Sequence, residues 1–324
     1  MKCVFFIVGP TAVGKSEVAA AVAQRLGAEI VSADAFQIYR GLDLLTAKPD
    51  QATRAKAPHH LIGTMSIHEE MNAEKFRRLA LATPGEIHSR EKVAIVVGGS
   101  GLYIKALTHG LSDLPEADPS LRAQLNRLTL DQLRARLVDL DPKAMDAIDI
   151  KNRRRLVRAL EICLMTGRPA SAQRTKWEGA VAVASGTGKR VQDAARSVPK
   201  AFGASTGVLV FRDRDKLYQR INQRVTAMFQ NGVIEEVRAA GAMSETASKM
   251  IGLREIRELL DGKMSILQCV AQIQQASRRY AKRQLTWFRR QTNFEPLNLS
   301  LLSHHEAVKW ISQRASRSVA QGNV

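Results

Sequence analysis

Eight residues, Gly9-Pro10-Thr11-Ala12-Val13-Gly14-Lys15-Ser16, follow an apolar run and fit the pattern G-x-x-x-x-G-K-[ST]. Glycines at both ends let successive backbone N–H groups turn inward around phosphate oxygens, and a following helix adds its positive end. Lys15 supplies a mobile positive charge, and the Ser16 hydroxyl suits a Mg²⁺ ligand. The chemistry implied is the grip of a phosphate or diphosphate. A nucleotide would need an Asp for its metal at the end of another apolar strand. "AIVVGGSG" ends in glycines instead, and "VLVFRD" reaches Asp213 only to run on as a charged helix start, where Asp caps. The requirements of ATP are therefore met only in part.

The elements that must position this loop are legible around it. "KCVFFIVG" is a continuous apolar run, as expected of a strand buried on both faces. "SEVAAAVAQRLG" has helical spacing and a glycine stop. "AEIVSAD" and "KVAIVVGG" read as further strands, with the helical stretch "NAEKFRRLALATPGEIHS" before the second. This strand–helix alternation predicts an α/β fold, a parallel sheet flanked by helices of the P-loop NTPase type. From about Pro115 leucines and charges fall at helical spacing with no strand signal, which predicts a helical insertion. "GVLVF" restores a strand, two helices follow, and a long helix runs from about Ser265 to Arg290. Val270, Ile273, Tyr280 and Trp287 fall near one stripe of it. The expected organisation is a core over 1–115, a helical insertion over 116–177, an Ala/Gly-rich segment of low complexity and expected mobility over 178–207, a return to the core over 208–300, and a tail over 301–324.

Charge separates the two ends of the chain. The net charge is +18, with a sequence pI near 10.3. Residues 1–110 carry 13 basic and 10 acidic side chains, and the remainder carries 36 and 21. A surplus confined to the later part points to a polyanionic partner, nucleic acid before others. No apolar run approaches 18 residues, which excludes a helical membrane span on sequence grounds, and Cys3–Val8 is too short for a signal segment. A cytoplasmic protein is expected. The three cysteines show no metal or redox spacing, and the His59-His60 pair has no ligand partner at zinc spacing.

Several further segments occur in a fixed order: "SADAFQIYRGLDLLTAKP" (32–49), "HHLIG" (59–63), "GGSGLYIKAL" (98–107), "LPEADPSLR" (114–122), "RRRLVRALEI" (153–162), "KMIGLREI" (249–256) and "RRYAKRQLTWFRR" (278–290). With them the chain resembles the tRNA dimethylallyltransferases, or tRNA isopentenyltransferases, over most of residues 1–290. The resemblance implies transfer of a dimethylallyl group from dimethylallyl diphosphate to N6 of the adenosine 3′ of a tRNA anticodon, with Mg²⁺. The loop would then hold the donor's diphosphate rather than a nucleotide.

In that frame Asp34 is the candidate base for the N6 proton, and its alternative is a helix cap. Lys15, Ser16 with Mg²⁺, the loop amides, Arg220 and Arg224 would stabilise charge growing on the leaving diphosphate. Ser100 stands where the family has a threonine that orients the reacting base. Asp34, Ala35, Phe36, Gln37 and Ser100 would meet the target base. Arg122, Arg154, Arg155, Arg158, Lys249, Arg254, Lys282, Arg283, Gln284, Thr286 and Arg289 would meet the rest of the anticodon stem-loop. Arg and Lys would neutralise phosphates, and Gln284 or Thr286 could reach base edges. Trp287 reads as a core anchor rather than a stacking platform. The insertion is expected to clasp the stem-loop, and a monomer is the simplest assembly. Ala35 replaces the family's usual serine, Gly63 its aspartate and Leu253 its tyrosine. The alternative reading is a P-loop kinase for a small metabolite, which leaves the basic later region unexplained.

Overall fold

The computed structural model describes residues 4–173, 206–291 and 293–321. Cys3 and residues 178–205 of the Ala/Gly-rich segment lie outside them. The last two residues assigned to that segment, Thr206 and Gly207, already belong to a strand.

Six strands form one sheet: β1 (Val4–Val8), β2 (Glu29–Ser32), β3 (His59–His60), β4 (Ala94–Gly98), β5 (Thr206–Phe211) and β6 (Glu295–Asn298). Their order is β3-β2-β4-β1-β5-β6, and every pair is parallel. The predicted fold class is the one observed. β1 is central and all five of its residues are buried. Because side chains alternate across a strand, Val4, Phe6 and Val8 enter one core while Phe5 and Ile7 enter another on the opposite face.

The helices of eight or more residues are α1 (Lys15–Leu26), α2 (Ala73–Ser89), α3 (Gly101–His109), α4 (Pro119–Arg127), α5 (Leu130–Leu140), α6 (Arg153–Thr166), α7 (Arg214–Gln230), α8 (Val233–Ala240), α9 (Leu253–Leu260), α10 (Ile266–Phe288) and α11 (His304–Gln321). The first core takes Phe76 and Ile87 from α2, Ile104 and Leu107 from α3, and Ile273 and Phe288 from α10. The buried stripe of α10 runs through Cys269, Ile273, Ser277, Ala281, Gln284 and Phe288, so Tyr280 and Trp287 stand at its edge, half-buried. A capping box, with Ser265 and Gln268 satisfying each other's backbone amides, starts this helix.

The second core corrects the reading of the C-terminal tail. Ala307, Val308, Ile311 and Ala315 of α11 repeat at helical spacing and pack against Val18 and Val22 of α1 and the underside of the sheet. Residues 301–321 therefore complete a layer. Ile311, fully buried, is expected to lose about 2–5 kcal/mol of unfolding free energy on replacement by alanine. A urea titration checks this through the midpoint, which a mere tail would leave unmoved.

The described residues form two compact units, 4–110 with 206–321 and 111–173. The second has its own core of Leu125, Leu133, Leu137, Leu156 and Leu160, from α4, α5 and α6. Thr129 and Gln132 form the capping box that starts α5.

Candidate active site

The parallel sheet points the carboxyl ends of β1, β2 and β4 the same way, so the segments after them meet there. After β1 comes the loop 9–16, after β2 Asp34, and after β4 Gly99 and Ser100. A cavity of about 620 Å³ opens among them, lined by Thr11, Lys15, Ser16, Asp34, Arg220 and Arg224 among others.

Three arginines fix the loop. Arg212 Nε donates to Val13 O (2.9 Å), Arg220 Nε to Ala12 O (3.0 Å), and Arg224 Nη1 to Thr11 Oγ1 (2.9 Å). With the carbonyls of Ala12 and Val13 held toward the arginines, the N–H groups that follow them face the other way, inward. Gly14 makes the turn into α1 at φ 100°, a conformation that favours glycine. The first amides of α1 have no partner within the helix and complete the cradle. Not every amide of the motif contributes. Gly9 N–H is spent on Gly98 O (3.3 Å), Pro10 has none, and Thr11 N–H goes to Gln284 Oε1 (2.8 Å). The phosphate-facing amides are thus those from Val13 onward.

Lys15 folds back over the loop, its Nζ donating to Pro10 O at 2.6 Å. Burial lowers its pKa to about 8; Asp34 opposes this shift and Arg224 adds to it. Arg224 is depressed by the same burial and held up by Asp34. Asp34 thus stands in the field of both cations. Its Oδ1 accepts from Phe36 N (2.9 Å) and Gln37 N (3.3 Å), closing a turn. The carboxylate closes a turn and caps no helix, which departs from the alternative reading, and it lines the cavity as well. Ser100 Oγ accepts from Ala35 N (3.0 Å), which ties the end of β4 to this turn.

The cavity fits a metal only in company. Among the described residues no three His, Cys, Asp or Glu side chains gather at ligand spacing. Ser16 and Asp34 line the same space as the cradle, which suits Mg²⁺ carried largely by phosphate oxygens and water.

Over residues 37–291 the chain matches the family described as IPP transferase. It belongs to that family. A tRNA dimethylallyltransferase of Akkermansia muciniphila is 40% identical over 286 residues, spanning 88% of this chain and 90% of its own. A tRNA dimethylallyltransferase 1 of Citrifermentans bemidjiense is 42% identical over 284 residues, spanning 86% and 87%. The crystal structure of the full-length tRNA isopentenylpyrophosphate transferase of Bacillus halodurans aligns at a TM-score of 0.69 and 32% identity, over 99% of this chain and 98% of that one. These relatives are all named for transfer to tRNA, and none of them lends support to the kinase reading.

The positions expected from the sequence to meet RNA fare unequally in this structure. Lys282, Arg283, Thr286 and Arg289 are exposed on one side of α10 and its end. Gln284 is not among them. It is buried at 6% exposure, with Oε1 taken by Thr11 N–H and Nε2 donating to Gly99 O (2.8 Å). Reading a base edge would break both bonds. Gln37 also turns inward, Nε2 donating to Ala47 O at 2.9 Å. Phe36 packs partly against the core. Lys249 pairs with Glu245, and Arg254, largely exposed, with Glu255 at 2.9 Å.

In the insertion, Arg154 and Arg155 are exposed. Arg122 and Arg158 are committed: Arg122 makes a two-pronged pair with fully buried Glu161 (both 2.6 Å), and Arg158 reaches Glu161 and Pro115 O. Their role in this unit is to neutralise Glu161. Arg122→Ala is expected to destabilise the insertion by about 3 kcal/mol, the lower end for a broken buried pair because Arg158 remains. Urea unfolding, compared with Arg154→Ala as a neutral reference, measures it.

Four side chains at the site carry no assigned role in the sequence analysis. Arg212 was passed over beside Asp213, whose carboxylate accepts from Asn298 Nδ2 (2.9 Å) and takes no capping bond of α7. Tyr103 and Tyr280 both stand in the field of Asp34, their hydroxyls pushed up chiefly by burial, Tyr280 to about 12. Lys48, its side chain 3% exposed, donates to Tyr39 O (2.6 Å) and Gly41 O (2.9 Å) and gathers the loop after Asp34. The repeated apolar and basic spacing of α10 hinted at Tyr280. Nothing local marked Lys48 or Arg212.

Proposed function

We propose that this IPP transferase moves the dimethylallyl group of dimethylallyl diphosphate onto N6 of the adenosine 3′ of a tRNA anticodon. The observation that carries this reading is one cavity that holds a phosphate cradle with Lys15 and, beside it, the carboxylate of Asp34. The N6 lone pair is delocalised into the adenine ring, so an acceptor must draw on its N–H as the new bond forms. Asp34 takes that proton while N6 bonds to the first carbon of the donor. The carbon–oxygen bond to diphosphate breaks, and its electron pair leaves on the bridging oxygen. Lys15, Arg224 and the inward amides receive that charge. Mg²⁺ at Ser16 would neutralise part of the diphosphate's charge. Ser100, tied to Ala35 beside Asp34, would orient the target base, which leaves its stack at a cost of a few kcal/mol.

The exposed cations Lys282, Arg283 and Arg289, with Arg154 and Arg155 of the insertion, would neutralise phosphates of the anticodon stem-loop, and binding would weaken steeply with salt. One chain supplies every group named, so a monomer suffices. The test combines the protein, Mg²⁺, dimethylallyl diphosphate and an unmodified tRNA carrying adenosine 3′ of its anticodon, followed by digestion and mass spectrometry of the nucleosides. A dimethylallyl-adenosine peak is expected. Its absence, with tight binding or hydrolysis of ATP instead, would overturn the reading.

A further inference from the structure

Gln284 occupies a place that neither phosphate binding nor RNA contact accounts for. Its side chain is a planar amide with one acceptor and one donor end, and both ends are taken at 2.8 Å, near the best length for such bonds. One end holds Thr11 of the phosphate loop, whose hydroxyl accepts from Arg224. The other holds Gly99, next to Ser100, whose hydroxyl accepts from Ala35 beside Asp34. The fit has no slack: a Cβ on Gly99 would lie 2.5 Å from the amide nitrogen and 2.9 Å from Gly9 O. Tyr280, one turn earlier on α10, reaches the Ser100 and Gln284 side chains from the same helix. The outer side of that same turn carries the exposed Lys282 and Arg283. Donor loop, acceptor turn and basic outer face thus meet at one buried amide.

We propose that Gln284 is a positioning residue that couples the diphosphate site to the RNA site, so that filling either one favours the other. This rests on the functional reading above. A diphosphate settling into the loop moves or stiffens Thr11, and the amide passes that to Gly99 and Ser100. RNA on the outer face of α10 presses the same amide from the other side. Binding linkage requires the effect to be reciprocal, and couplings of this kind run from about 5- to 150-fold.

Inorganic pyrophosphate with Mg²⁺, titrated calorimetrically with and without a saturating unmodified anticodon stem-loop RNA, measures the coupling without turnover. In the unaltered protein the RNA is expected to tighten pyrophosphate binding at least about fivefold. In Gln284→Met, similar in shape, the ratio is expected to fall to within about twofold of unity. Gln284→Glu keeps the acceptor for Thr11 N–H and loses the donor to Gly99 O, so it should lose the coupling too, and it serves if the methionine variant does not fold. A residue that merely braced the fold would weaken both ligands and leave the ratio intact. A residue that read a base would weaken RNA alone, again with the ratio intact. Either result overturns the proposal, as does a ratio of one in the unaltered protein. Coupling without any dimethylallyl product would sink the functional reading and leave this one standing.

Discussion

Asp34→Asn is expected to lower the turnover number for dimethylallyl transfer about 10²- to 10⁴-fold, the range for removing a general base. Asparagine is the informative replacement because Asp34 does two things. Its Oδ1 accepts from the amides of Phe36 and Gln37, and an amide oxygen can do the same. The turn is therefore kept while the proton acceptor is lost. Stem-loop and pyrophosphate affinities should stay within a few-fold, since a small rise in phosphate affinity from the removed negative charge is the main change. Asp34→Ala should lose the rate and also the hydrogen bonds of the turn, with a stability cost of about 1 kcal/mol. Single-turnover kinetics with mass detection of the nucleoside separates chemistry from binding. Equal rates in the unaltered and Asp34→Asn proteins would remove Asp34 from its role.

The second large effect belongs to Lys15. Lys15→Met is expected to cost about 10²- to 10³-fold in rate, the scale for losing one preorganised donor to a developing oxyanion. The pH dependence is more diagnostic. Burial lowers the Lys15 pKa to about 8, so the free protein holds the ammonium form below that pH and sheds the proton above it. Diphosphate binds the ammonium form and raises its pKa. Taken as the ratio to Lys15→Met, which cancels the ligand's own titration, affinity should be flat below about pH 8 and fall toward tenfold per unit above it, until the pKa of the bound state is reached. Lys15→Met alone should show only the ligand's own titration. Calorimetry of pyrophosphate between pH 6.5 and 9.5, roughly one and a half units either side of the Lys15 pKa, checks it. A ratio that stays constant with pH would assign the titration to another group.

Substitutions at departures from the family pattern sit comfortably in this fold. Ala35 contributes its backbone N–H to Ser100, which any residue but proline can do. Leu253 is buried in the first core, where an apolar side chain fits. Ser100 retains the hydroxyl that the site uses. Gly63, at φ 62°, adopts a left-handed conformation that an aspartate would strain mildly and a glycine does not.

Much of this protein is determined within short windows of its sequence. The apolar run of β1, the glycines and lysine of the loop, and the helical spacing of α1 are local patterns whose physics is local: steric freedom, an amide cradle, one face to bury. The parallel sheet and the phosphate site could be read from them, Asp34 as the base came only with the family resemblance, and the surplus of charge after residue 110 pointed to a polyanion. The tail was misread although its stripe was present, because an amphipathic pattern near a terminus does not say whether a face awaits it. The uncovered side of the sheet supplies that face.

What only the tertiary structure decided is where polar side chains spend their hydrogen bonds. Gln284 lies 273 residues from Thr11, and its basic surroundings in sequence suggested a contact to RNA. Helix periodicity turns it inward while Lys282 and Arg283 turn out. Arg122 is drawn from RNA toward Glu161, and Arg212 toward Val13, because a buried carboxylate or carbonyl without a partner costs more than a solvated guanidinium gains. Such choices depend on which groups the fold buries together, and that is settled only when the distant segments have met.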